Sequence, residues 1–264
     1  MAHSVSVVGD PPLAARLERT PPDASARVVV VGGPVAERVA RAGEAVARGA
    51  HAFVLWPPAP TSAGAGGLAA LAEEAGVEVG VARPLGASAA LAGVPAGWAA
   101  RLVTLAVVAP LDGPLAAAGW PTLLAGALDL CTSLAGTVAV GRLDAGGERD
   151  GDALRAVALA ARFENGAYAQ AVVRFSDHVA RDEVALYAAR PGSRVEARSL
   201  AGPLCVEAEG RVSAVAAPAG DWDPEAAEAE AFVTAVAARQ RAPHGLDRAL
   251  ATLRLAERAQ ERLR

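Results

Sequence analysis

The sequence predicts an α/β protein in which a parallel-sheet domain is followed by an α+β domain with an open, mostly antiparallel sheet. Three observations carry this. Up to Val81, short apolar runs alternate with helical patterns, the β-α-β-α-β rhythm of a parallel sheet with covering helices. After Pro84 that rhythm stops. From Leu154 to Leu200, runs with strand-like alternation are separated by turn signals such as Asn165-Gly166 and Pro191-Gly192, the pattern of antiparallel strands.

The elements follow in chain order. "HSVSVVGD" reads as a first strand ending at Gly9 and Asp10 and turning at Pro11 and Pro12, with a brief helix from Leu13 to Arg19. "ARVVVVGGP" is a stronger strand: Val28 to Val31 suit a centre strand buried on both faces, and Gly32, Gly33 and Pro34 suit the turn into a helix. Val35, Val39, Ala42 and Val46 recur at helical spacing, with Arg38, Arg41, Glu44 and Arg48 on other faces. "AFVLW" is the next strand; a glycine-rich loop, the helix "LAALAEEAG" and the strand "VEVGV" complete this Rossmann-like half. A boundary near residue 85 gives domains 1–85 and 86–264. In the second, "RLVTLAVVAP" reads as a strand, "LDGPLAAAGWPT" as a loop, and "LRAVALAARF", "AYAQAVVRF", "DEVALYAA" and "SRVEARSL" as the open sheet. Asp223-Pro224 starts a helix with Phe232, Val233 and Val236 inside. Another begins at Leu246 with Leu250, Leu253 and Leu263 inside. These closing helices, 224–263, are placed to pack back on the first domain.

Composition narrows the function. Basic residues number 25 against 29 acidic ones, a net charge of −4 with no long like-charge run, so a nucleic-acid partner is not expected. Every basic residue is Arg; the absence of Lys and Ile points to a GC-rich bacterium. No segment reads as membrane-spanning, and Cys131 and Cys205 lack metal-ligand spacing, which leads us to expect a reduced, cytoplasmic protein with no metal.

The order of segments resembles the Gfo/Idh/MocA family of two-domain, NAD(P)-dependent sugar and cyclitol oxidoreductases. "RVVVVGGPVAERVARAGEAVARGAHAFVLWPPAP" is similar to the family's stretch from a central strand to its Glu-Lys-Pro motif. "AGALDLCTSLAG" looks like its helix carrying His and Asp, and "ARFENGAYAQAVVRFS" like its strand pair around a Glu-Asn-Gly turn. "EAEAFVTAVAARQRAPHGLDRALATLRLAERAQERLR" looks like its two closing helices.

The resemblance implies a degenerate member. Trp56, Pro57 and Pro58 stand at the Glu-Lys-Pro positions, so the lysine that serves proton transfer in the family is replaced by a proline with no proton to exchange. Gly126 stands where the catalytic His belongs and Thr122 at its paired Asp. Only Asp129 matches, and Asp129 equally suits a buried or capping carboxylate. The nucleotide turn fares no better. Gly9, Asp10, Pro11 and Pro12 replace Gly-x-Gly-x-x-Gly, removing N–H donors and the close backbone approach while adding negative charge. Sixteen residues separate Asp10 from Arg27, fewer than the roughly 30 of a βαβ unit, so the strand with the ribose-binding carboxylate is expected to be missing. Gly32 and Gly33 are a remnant turn.

The surviving polar candidates are few. Ser176, Asp177 and His178 end a strand that faces substrate in the family; as strand neighbours Asp177 and His178 point to opposite faces unless the chain turns. Together with Trp56, Trp120 and Asp129 they make up the candidate pocket; Trp56, Trp98, Trp120 and Trp222 all read as packing residues, with Trp56 and Trp120 flanking the former cleft. The sequence therefore leads to a homologue without dinucleotide binding or hydride transfer, with no cofactor, acting as a structural or regulatory subunit. Two alternatives stay open. One is an NAD- or NADP-dependent oxidoreductase with a rearranged site, acting on a sugar- or cyclitol-like CH–OH group. The other is a small-molecule binding protein or non-redox enzyme using the former substrate cleft. The resemblance also implies a homodimer through the second domain's sheet, with an active relative as the alternative partner.

Overall fold

The computed structural model describes residues 4–8, 27–83, 94, 97–180, 183–198, 204–208, 211–215 and 224–264. The turn at Gly9 to Pro12, the helix expected over Leu13 to Arg19, Trp222 and the capping residue Asp223 lie outside the described residues. The chain forms two compact units, residues 1–83 with 223–253, and residues 84–222 with 254–264.

The first unit holds a four-stranded parallel sheet of β1 (Ser4–Val8), β2 (Arg27–Val31), β3 (His51–Val54) and β4 (Val79–Val81), side by side in chain order. Helix α1 (Val35–Ala47) connects β2 to β3, and α2 (Ser62–Ala75) connects β3 to β4. Two right-handed crossovers that advance in the same direction must lie on the same face of a sheet, and they do. Val31, Ala52, Val54, Val79 and Val81 pack on Ala42 and Val46 of α1 and Leu68 and Ala72 of α2. The start of α5 (Leu246–Arg262) joins that layer through Leu246, Ala249 and Leu253. Alternate residues of the same strands, Val28, Val30, Phe53 and Leu55, meet Ala229, Phe232 and Val236 of α4 (Pro224–Ala237) on the opposite face. That is why β2 and β3 read as unbroken apolar runs.

Helix and sheet come very close at Gly80, where a Cβ would lie 2.5 Å from the Phe232 ring. Phe232 in turn packs on Phe53, the ring centroids 5.6 Å apart. Beyond β4, Gly245 bridges Gly80, and buried His244 holds the carbonyl of Val81 at 2.8 Å through Nδ1. The glycine-rich loop expected before "LAALAEEAG" is instead the first turns of α2. Thr61 caps it by accepting from the Gly64 N–H, and Gly64 sits against Ala59 and Val39, where small residues let the two helices approach.

The second unit is an eight-stranded sheet in the order β12-β11-β10-β9-β5-β8-β7-β6. Its strands are β5 (Leu102–Pro110), β6 (Val140–Asp150), β7 (Ala153–Phe163), β8 (Tyr168–Ser176), β9 (Glu183–Arg190), β10 (Ser193–Ala197), β11 (Leu204–Ala208) and β12 (Arg211–Val215). Every neighbouring pair is antiparallel except β5 with β8. Helix α3 (Pro114–Ala135) covers β5 and β8. It begins inside the stretch read as a loop: Pro114 suits the first helical position, and the expected interruption shrinks to one non-helical residue, Gly119, at φ 76° and ψ 164°.

The hairpin at Asn165-Gly166 also finishes this helix. The Asn165 side-chain amide donates to the Ala135 carbonyl at 2.8 Å, its Oδ1 accepts from the Ala167 N–H, and Gly166 takes the left-handed φ of 83°.

Candidate functional site

In a parallel α/β sheet, ligands bind beyond the carboxyl ends of the strands, in the crevice where strand order reverses and neighbouring loops diverge to opposite faces. The described sheet of the first unit runs β1-β2-β3-β4 without a reversal. At the carboxyl ends of β2 and β3 one side chain joins the two following segments. Arg38, half-buried in the first turns of α1, donates Nε–H to the Gly33 carbonyl at 2.9 Å and Nη1–H to the carbonyls of Leu55 at 3.1 Å and Pro57 at 3.0 Å. One guanidinium thus joins the turn after β2 to the proline segment after β3.

Gly32 is buried, and Gly33 holds a φ of 79° that carries the strand into Pro34 and α1, so both glycines serve the turn. Trp56 is partly buried and packs against the α1/α2 core layer; the Trp56–Pro57 peptide is cis. Gly9 and Asp10 lie outside the described residues.

In the second unit, the stretch of α3 after Gly119 carries the other candidates. Thr122 is half-buried, and every residue from Leu123 to Thr132, including Gly126 and Asp129, is buried. Asp129 has no solvent exposure at all, and its carbonyl accepts a hydrogen bond from the Thr132 hydroxyl at 3.0 Å. Burial, and next the neighbouring Asp129 carboxylate, push the Cys131 thiol up to about 12. That thiol is an inert core group.

Trp120 stands edge-on to Phe175 at 4.8 Å, close to the end of β8. There the chain does turn. His178 donates its backbone N–H to Ser176 Oγ at 3.1 Å, and the turn brings His178 Nε2 to 3.5 Å from Asp177 Oδ1. With exposures of 89% and 74%, this is a solvated pair, where an ion pair contributes little. The structure therefore brings Trp120 close to the Ser176 end of β8 and pairs Asp177 with His178, but places Asp129 inside the core and Trp56 in the other unit. Among the described residues no cluster of His, Cys, Asp and Glu is arranged to hold a metal ion.

Two polar roles escaped the sequence reading. The helical spacing places Arg38 only off the apolar face, although a cation in the first turns of a helix opposes the macrodipole, which is a signal that it has another partner. Glu228, on α4, accepts the Arg83 N–H at 2.6 Å and so fixes the chain just past β4; nothing local marks it.

No protein-family model and no curated protein matches the chain. Solved structures do. UDP-N-acetylglucosamine 3-dehydrogenase GnnA from Acidithiobacillus ferrooxidans superposes with a TM-score of 0.82 at 17% identity, covering 100% of this chain and 98% of that one. An oxidoreductase from Agrobacterium radiobacter, in complex with NAD+, L-tartaric acid and magnesium, gives 0.79 at 14% identity over 99% and 96%. GenD2 from gentamicin A biosynthesis, in complex with NAD, gives 0.71 at 20% identity over 99% and 94%. The fold is thus that of two-domain dehydrogenases, a Rossmann-like domain followed by an α+β domain. Identities this low speak for the fold alone.

Proposed function

We propose that this chain has the dehydrogenase fold without its redox chemistry, binding neither NAD nor NADP and serving as a structural or regulatory subunit. The observation that carries the reading is the strand order of the parallel sheet. With β1 paired directly to β2 and every strand beside its chain neighbour, the described sheet has no reversal to open a dinucleotide crevice. Arg38 supports the same reading by spending its donors on the carbonyls of Gly33, Leu55 and Pro57. Pro57 and Gly126, at the family's lysine and histidine positions, exchange no proton, and Asp129 is shut away from solvent.

Titration of the purified protein with NADH and with NADPH, followed by nicotinamide fluorescence and calorimetry, tests this. No saturation is expected up to millimolar cofactor. Saturation below about 100 µM, some 5.5 kcal/mol of binding, overturns it. That outcome favours the second reading, an NAD(P)-dependent oxidoreductase with a rearranged site, which the NAD complexes of the Agrobacterium oxidoreductase and GenD2 support.

The partner we propose is a second copy of the chain, seated on the face of the eight-stranded sheet away from α3. On β5, Leu102 pairs in register with Tyr168 of β8, Thr104 lies between Tyr187 and Gln170, and Ala106 between Ala185 and Val172. Leu102, Tyr168, Val172 and Tyr187 are 36–42% exposed, a large apolar content for solvent-facing strand positions. Arg162, opposite Tyr168, and Arg174 and Glu183, flanking Val108, put both charge signs at the border, which suits a self-complementary two-fold contact. An active relative on the same face is the alternative.

A further inference from the structure

We draw no further inference here: the strongest candidate, the groove that α2, β4 and the first turn of α5 form around Glu73, Glu78, Arg241 and Arg248, carries nothing because it offers only a helix N-terminus among charges of both signs and no second feature of the structure points to a ligand there.

Discussion

The two sheets solve the same burial problem in opposite ways. The parallel sheet has helices on both faces, and at the carboxyl ends of β2 and β3 Arg38 joins the following segments through three carbonyls. The eight-stranded sheet has α3 on one face, and the other presents tyrosines and aliphatic residues to solvent. In the first unit Arg38 holds backbone together; in the second, Leu102, Tyr168, Val172 and Tyr187 leave apolar surface exposed among charged neighbours. The contrast sets the two halves of the proposal: association is tested at the second sheet, and the proposed absence of nucleotide binding at the first.

The contrast breaks most easily at the α4 face of the parallel sheet. Phe232→Ala removes a ring with 1% exposure and is expected to cost about 3–5 kcal/mol, read as a fall in the urea midpoint. Gly80→Ala forces a methyl into the same ring and is expected to cost about 1–3 kcal/mol. The double variant should lose clearly less than the two costs added together, because the clash vanishes with the ring. Strict additivity would show that β4 and α4 do not meet as described.

Arg38→Met comes next. It keeps the length of the side chain and deletes the charged donors, for an expected loss of about 1–3 kcal/mol, with faster amide exchange confined to the ends of β2 and β3. Global loosening would mean that Arg38 is not a local clamp.

A subtler effect separates core from surface in the second unit. Because folding raises the Cys131 pKa from 9.0 to about 12, the unfolded thiol ionises first, and stability falls as pH rises from about 9 toward 12. By pH 10 the loss is on the order of 1 kcal/mol relative to Cys131→Ala, measured as the difference between their urea midpoints. Equal pH dependence in the two proteins would place Cys131 in contact with water.

The smallest effect on the fold belongs to the open sheet face. Val172→Arg should leave the far-ultraviolet circular dichroism spectrum unchanged while halving the mass measured by sedimentation at micromolar concentration. A wild-type chain that sediments as a monomer would remove the proposed dimer.

Much of the fold was legible because burial imposes a period. The core strands β2, β3, β7, β8 and β9 bury every second residue or every residue, and their apolar runs say so. The edge strand β6 was not read. In "VGRLDAGGERD" only Leu143 is buried, so no alternation survives among its glycines and charges, and pairing with β7 alone makes it a strand. The five-residue β11 and β12 were not read either. The glycines of α2 and the Gly119 break in α3 misled for the reverse reason: both stretches are punctuated like loops, yet a Thr61 cap and a Pro114 start override the punctuation.

The candidate site was legible mainly through what was missing from it. On the proposed reading, the residues standing at the resembled family's lysine and histidine positions, Pro57 and Gly126, are visible in the sequence alone. What Arg38 does depends instead on where the carbonyls of Gly33, Leu55 and Pro57 point, which only the folded backbone decides.

The strand order of the described parallel sheet has a consequence for the proposal that the chain binds no nucleotide. Side chains can be exchanged one at a time, but a reversal in strand order cannot. It would require a new strand beyond β1, entered and left by parallel crossovers of about a dozen residues or more each, where the whole span from Val8 to Arg27 holds 18 residues. On that proposal, placing glycines at Pro11 and Pro12, or a lysine at Pro57, would leave the order of the described strands untouched, and only an insertion would supply the reversal.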